Sequence, residues 1–447
     1  MASPTTPPNL IPLANPVPFN LWATTTNRIF YSNIDDPLRA FRTLGSGDPL
    51  LPLAFALSVT NDTPARPAIH EIGSGNFFFA KEVIRHAPSL GSYTAYDFSD
   101  VSFKTHSNSL PEVLSFKKRG ALQARAEITT AHSHVVGVEL CDDLPNEFWS
   151  CHQGQPVEMW MEMGINPSLQ LPHRAANQPW RVNTDPTVQG DLTLPALDAN
   201  ILSELISTGQ WNELDNYNPG LLKAIHYGTR QFFPTPLSSI FDKGWRNMPE
   251  EFRPVGEKIL ERYEEDLRQI EEFGNVLHLP TAAIAMLWQM RDLPAPSAVH
   301  FFDYGYEFPN SKPAAFITFQ GQVSTPVHFG ILKYAAECMG YKVTLEKDRE
   351  FIQRVTGEDT LIIARIRGLD LHILGPDAED LLLMEFFGEA ARDLSPTAEV
   401  SPSTIRGLRV RREVVDHVAP RLNRAYTYQD GSYYLRAEVD ADAPFGR

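Results

Sequence analysis

Glu71, Gly73, Gly75 and Asp97 have the types and the spacing to hold a ribose-bearing ligand. Residues 71–75 read Glu-Ile-Gly-Ser-Gly, directly after a short apolar run and directly before an apolar helical pattern. Glycines in a strand-to-helix turn let the backbone come against a ligand where a side chain would collide with it. Asp97 follows about twenty residues later, at the end of the next strand pattern, where doubly wound folds place the carboxylate that bonds the ribose hydroxyls. This arrangement alone serves NAD and S-adenosylmethionine equally. The loop separates them, because a dinucleotide fold uses a third glycine to seat a pyrophosphate on the helix N-terminus, and that position is Phe78 here. The expected cofactor is S-adenosyl-L-methionine. Glu127, near the end of a further strand pattern, is the candidate for the adenine amine.

The acceptor side is read from the run 135–145, in which Glu139 and Asp142 stand just past an apolar strand. Methyl transfer is an in-line displacement that discharges a sulfonium, so the protein's tasks are alignment, exclusion of water and, for a nitrogen acceptor, handling of its protons. Carboxylates suit a cationic acceptor, since a guanidinium offers them a planar fork of donors. Glu139 and Asp142 are therefore the expected catalytic pair, with His328 as a candidate general base and Tyr304 and Tyr306 as candidate linings of the acceptor site. His132, His134, Cys141 and Cys151 match no zinc spacing, and no metal is expected.

Three stretches carry a resemblance. Glu71 to Gly75 matches a Glu-x-Gly-x-Gly loop; Glu139, Leu140, Asp142, Leu144 and Pro145 match an Asn-Glu-Leu-Phe-Asp-Ala-Leu-Pro run; and Asp303 to Tyr306 match an apolar strand ending in Asp-Tyr-Gly-Tyr. At these residues the chain resembles the MidA-like methyltransferases, the family that includes the mitochondrial complex I assembly factor that methylates arginine. The resemblance covers roughly 68–163 and 280–345. It implies S-adenosylmethionine as cofactor and a peptide or protein side chain, arginine nitrogen favoured, as acceptor. The departures lie on the acceptor side: Val138 and Asp143 replace the family's Asn and Ala, the strand 315–319 lacks its arginine, and His328 stands at an aspartate position. A small molecule or peptide natural product is the alternative acceptor, and a non-catalytic cofactor-binding assembly factor the alternative class.

The elements that must position these residues alternate as strand and helix from residue 68 onward, which argues for a parallel sheet. The expected fold is α/β, a Rossmann-like class I methyltransferase core with a Pro- and aromatic-rich insertion and a mostly β C-terminal unit. The expected divisions are an N-terminal arm and helices (1–60), the first part of the core (61–163), an insertion capping the acceptor site (164–254), the second part of the core (255–345) and a separate α+β unit (346–447). In the insertion, Trp180, Trp211, Tyr217, Tyr227, Phe232, Phe233 and Trp245 read as exposed. The 447 residues carry a formal charge of −16, which repels nucleic acid. No apolar run approaches the roughly 20 residues that span a bilayer, and no membrane partner is expected. Three cysteines without paired spacing fit a reducing cytoplasm. A homodimer is compatible with this composition.

Overall fold

The run Ala-Ile-His-Glu-Ile at 68–72 is buried at every position, as a strand covered on both faces of a parallel sheet must be. In the computed structural model this strand, β1 (Ala68–Ile72), lies at the centre of a sheet. The structure describes residues 11–12, 17–20, 23–24, 27, 31, 50–62, 66–165, 225–270, 275–311, 317–319, 322–358, 360–364, 407–411 and 432–439. Two compact units emerge: Met1–Asp35 with Asp142–Ala283 and Glu307–Ile331, and Asp36–Cys141 with Ile284–Tyr306 and Leu332–Arg447.

The second of these holds the sheet. After helix α1 (Leu50–Asp62) come β1, helix α2 (Phe78–His86), β2 (Ser92–Asp97), β3 (Leu114–Lys118), β4 (Ser133–Val138), β5 (Ala298–Tyr306), β6 (Lys342–Lys347), helix α3 (Asp348–Thr356) and β7 (Ser432–Glu438). The strand order is β6-β7-β5-β4-β1-β2-β3. Strands β3, β2, β1, β4 and β5 run parallel, and β7 runs antiparallel between β5 and β6. From β1 the chain builds outward to β2 on one side and then returns to β4 on the other. The carboxyl ends of β1 and β4 therefore flank the switch point where open α/β sheets bind ligands.

Two expectations change here. Residues 346–447 were expected as a separate unit, yet β7 enters the main sheet. Its residues Tyr434, Leu435 and Ala437 are buried, and only burial between two neighbours satisfies both edges of such a strand. Likewise α1, expected as part of the N-terminal arm and helices, is buried in the core over most of its length. Leu51, Ala54, Phe55 and Val59 join Phe79, Val83, Tyr93, Val136, Phe302 and Tyr434 in the core, and Pro52 sits in the first turn, where its missing N–H costs nothing. On the same side of the sheet, His134 and His300 meet at 3.0 Å and His300 bonds Tyr434 at 2.8 Å. His134 is thus part of a buried side-chain network.

The other unit is an antiparallel sheet. Gln155–Ile165 pairs with Glu147–His152 and with Ile225–Pro234, and Glu147–His152 pairs with Leu277–Leu279. The helix Arg253–Arg268 buries Ile259, Leu260, Tyr263 and Leu267. Residues 255–283, expected in the sheet-bearing core, lie in this unit. The short strands Ile11–Pro12 and Val17–Pro18 add to Gln155–Ile165. Of the insertion, Trp180, Trp211 and Tyr217 lie outside the described residues. Trp245, expected to be exposed, is buried, with its indole N–H donating to the Thr281 carbonyl at 3.1 Å. A proline-rich context hid a core residue. Among the described residues no helix is long and apolar enough to cross a membrane.

Candidate cofactor-binding site

The turn after β1 is built by backbone that few side chains tolerate. Gly73 and Gly75 have φ of 76° and 50°, and Phe77 has 63°. The Gly73 and Ser74 amides both donate to the Tyr96 carbonyl, at 2.8 and 3.3 Å, which folds the turn against the end of β2. The Asn76 side chain accepts the Phe78 amide at 3.1 Å, satisfying one free donor at the start of α2. A Cβ on Gly73 would meet Leu140 at 3.0 Å, whereas one on Gly75 would meet nothing within 4 Å. Gly73 is therefore needed for packing, while Gly75 faces open space through which a ligand can approach.

Asp97, at the end of β2, receives the Gly75 amide at 3.3 Å and the Ser99 amide at 3.0 Å, one on each oxygen. Burial pushes its carboxyl up to about 6, against the pull of these amides. Glu71 is buried beneath the turn and accepts the Tyr93 hydroxyl at 3.0 Å. Burial pushes it up to about 8; the Tyr93 bond acts the other way, and the negative Asp97 adds to the rise. The Ser74 hydroxyl is buried, with no hydrogen-bond partner among the described residues.

The loop after β4 joins this turn through one side chain. Leu140 fills the space over Gly137, where an added Cβ would lie 2.7 Å from it, and over Gly73. Glu139 takes φ of 48°, and its amide donates to the Phe302 carbonyl of β5 at 2.7 Å. Tyr304 and Tyr306 close β5, with Tyr306 buried and the Tyr304 amide bonded to Asp303 at 2.8 Å. Glu71, Gly73, Gly75, Asp97, Glu139, Tyr304 and Tyr306 thus stand at the carboxyl ends of four adjacent strands.

Three other expected site residues are placed differently. Glu127 lies in a short helical turn beyond β3, bonded to Arg119 at 2.8 Å and to Lys117. The bonds from these cations hold its carboxyl below the ordinary range. Asp142 belongs to the antiparallel unit, where the Ser324 hydroxyl donates to it at 2.6 Å. His328, in the same unit, is fully buried. Its Nε2 faces Asp266 at 3.1 Å and its Nδ1 accepts the Ile331 amide at 3.4 Å, so the proton sits on Nε2. Burial lowers its pKa, opposed by the Asp266 bond. His328 thus caps the first turn of the helix Phe329–Cys338 through its Nδ1.

Phe98, which the sequence reading passed over, follows Asp97 directly and is 39% exposed. An aromatic adjoining a strand-end carboxylate was the signal for it. Among the described residues no cluster of His, Cys, Asp and Glu could hold a metal ion.

The Glu71 carboxyl makes folding stability depend on pH. Its pKa lies near 8 in the folded chain against 4.5 for the ordinary group, so between these values the folded state binds more protons. Stability then falls as pH rises through this window. Glu71→Gln removes that penalty, and the melting temperature of the variant minus that of the parent is expected to increase from pH 5 to pH 8. A pH-independent difference would show that Glu71 is ionised throughout.

No family model and no curated protein matches the sequence. Two solved structures are similar to the chain. One is a COG1565 superfamily member from Burkholderia thailandensis bound to S-adenosyl-homocysteine, with a TM-score of 0.46 and 13% identity over 92% of each chain. The other is an uncharacterized protein of that superfamily and organism, with a TM-score of 0.44 and 13% identity over 92% of this chain and 91% of that one.

Proposed function

We propose that the chain is an S-adenosylmethionine-dependent methyltransferase of the Rossmann-like class I type. The observation that carries this reading is the glycine turn flanked by two acidic side chains, the buried Glu71 and the half-buried Asp97, with Phe78 where a pyrophosphate site would need glycine. Asp97 would accept the ribose hydroxyls, and Phe98 beside it would cover the adenine. Glu71 lies beneath the turn, where a cationic ligand would favour its ionised form and draw its raised pKa down. The Ser74 hydroxyl is a spare donor for a ligand carboxylate. The antiparallel β7 within an otherwise parallel sheet fits the methyltransferase core that the sequence resemblance implies.

When bound, S-adenosylmethionine supplies an electrophilic methyl group. The chain's own residues bind and orient the reactants and hold protons. We read Glu139, which stands with left-handed backbone just past β4, as the group that orients a nitrogen acceptor and takes its proton. We read the acceptor as a peptide or protein side chain, arginine favoured, with a small molecule as the second reading and cytoplasmic action as the setting.

Titration calorimetry tests the cofactor. S-adenosylhomocysteine is expected to bind in the micromolar range and NAD at least about tenfold more weakly, because Phe78 stands where a pyrophosphate site would need glycine; the reverse preference overturns the assignment. Glu139→Gln should keep cofactor affinity while lowering methyl transfer by on the order of a hundredfold, the scale for losing positioning and proton acceptance together. Full activity would exclude Glu139 from the transfer step.

A further inference from the structure

The two acidic side chains at the glycine turn are held differently. Asp97 takes a backbone amide on each oxygen, whereas the side chain of Glu71 has one bond among the described residues, from the neutral Tyr93 hydroxyl at 3.0 Å. Glu71 is 2% exposed, and its neighbours across the sheet, Ala95 and Val136, are buried and apolar. Helices α1 and α2 bring Leu51, Phe55, Phe79 and Val83 to the core that Tyr93 joins. Two other titratable groups stand close in the chain or the fold. His70 points to the opposite face of the strand and meets Tyr96 at 3.4 Å, and Asp97 adds a negative field. A carboxylate so buried, with no positive partner among the described residues, is costly, so the free chain keeps Glu71 protonated. A ligand that brings net positive charge to the turn reverses this balance. The unpartnered Ser74 hydroxyl and the open space over Gly75 mark the turn as the surface such a ligand meets.

S-adenosylmethionine and S-adenosylhomocysteine share an amino-acid end whose two charges offset each other. They differ by one positive charge, on sulfur, and a charge acts strongly through the low dielectric of a buried site. We propose that Glu71 senses the charge of the cofactor, giving its proton to solvent when the methylated, cationic form binds and keeping it when the discharged, neutral form binds. Loaded and spent cofactor are thereby told apart, and the preference for the loaded form grows as pH rises. This rests on the cofactor reading above and deepens it. Burial pushes the Glu71 carboxyl up to about 8 in the free chain, so the proton to be displaced is present through neutral pH and gone above that value. Each unit of pH below it costs the cationic ligand up to about tenfold in affinity, down to the lowered pKa of the complex, and leaves the neutral ligand unchanged.

The test is titration calorimetry of the full chain with both ligands between pH 6.5 and pH 8, a range above the Asp97 titration near 6. The dissociation constant of S-adenosylhomocysteine divided by that of S-adenosylmethionine is expected to rise at least about fivefold across this range in the parent, and to stay within about twofold in Glu71→Gln. The amine of each ligand titrates against both proteins alike, so the difference between parent and variant reports Glu71. Repeating the titrations in buffers of unlike ionisation heat counts protons: at pH 7 the parent should release about half a proton or more per S-adenosylmethionine bound beyond what Glu71→Gln releases. Tyr93→Phe keeps the carboxyl and removes its donor, which should move the rise in preference to higher pH; it carries the test if Glu71→Gln does not fold. A preference that climbs equally in parent and Glu71→Gln, equal proton release by the two, or an unmoved rise in Tyr93→Phe overturns the proposal. A parent chain that binds neither ligand sinks the cofactor reading itself, so the presence or absence of binding separates the two failures.

Discussion

S-adenosylhomocysteine is expected to bind the Asp97→Ala variant at least a hundredfold more weakly than the parent chain. Two charge-assisted bonds to ribose hydroxyls are lost, each worth roughly 1.5 to 3 kcal/mol. The carboxyl accepts on both oxygens with full charge only when ionised, and its pKa is raised to about 6 by burial. Parental affinity should therefore hold above this value and decline by up to about tenfold per unit below it, while the affinity of the variant stays flat over the same range. Asp97 also braces the turn by accepting the Gly75 and Ser99 amides. Asp97→Asn is the control that retains an acceptor oxygen for one of these amides and should fold normally with intermediate affinity. Calorimetry between pH 5 and 8 checks all three proteins, and an unchanged dissociation constant in Asp97→Ala would remove this residue from the site.

Gly330→Ala should leave little or no folded protein. A Cβ at this position would lie 2.0 Å from the Glu307 carbonyl oxygen and 3.1 Å from its carbon. Both are backbone atoms, and neither can swing aside as a side chain tip can. Overpacking of flexible neighbours costs about 1 to 3 kcal/mol. A clash with fixed backbone at the start of the helix Phe329–Cys338 should exceed that range and take much of the roughly 5 to 15 kcal/mol that holds a typical protein folded. Gly75→Ala is the contrasting case. Its Cβ meets open space, so only the left-handed backbone is penalised, at roughly 1 to 2 kcal/mol. That variant should fold and instead lose cofactor affinity, because the new methyl group projects where the ligand must pass. Soluble yield and denaturant midpoints distinguish the two outcomes, and a normally stable Gly330→Ala would show that the backbone there can yield.

The sequence by itself determined the part of the site that is local in the chain. Strand, glycine turn, helix and strand follow one another within residues 68–97, and each has its own periodicity or turn residue. Gly73, Gly75 and Asp97 could therefore be picked out and joined before any tertiary information, and the parallel sheet followed from the same alternation. Only the tertiary structure decided what distant partners make of a side chain. His328 was read alone until Asp266, 62 residues away, was found on its ring. Asp143 was a departure from a motif until Asn27, 116 residues away, was found on its carboxylate. The strand β7 was read with a separate unit until it paired with β5 and β6 in the main sheet. Propensity and spacing act over one turn or one strand, whereas burial and hydrogen-bond satisfaction are settled between segments that meet only when the chain is folded.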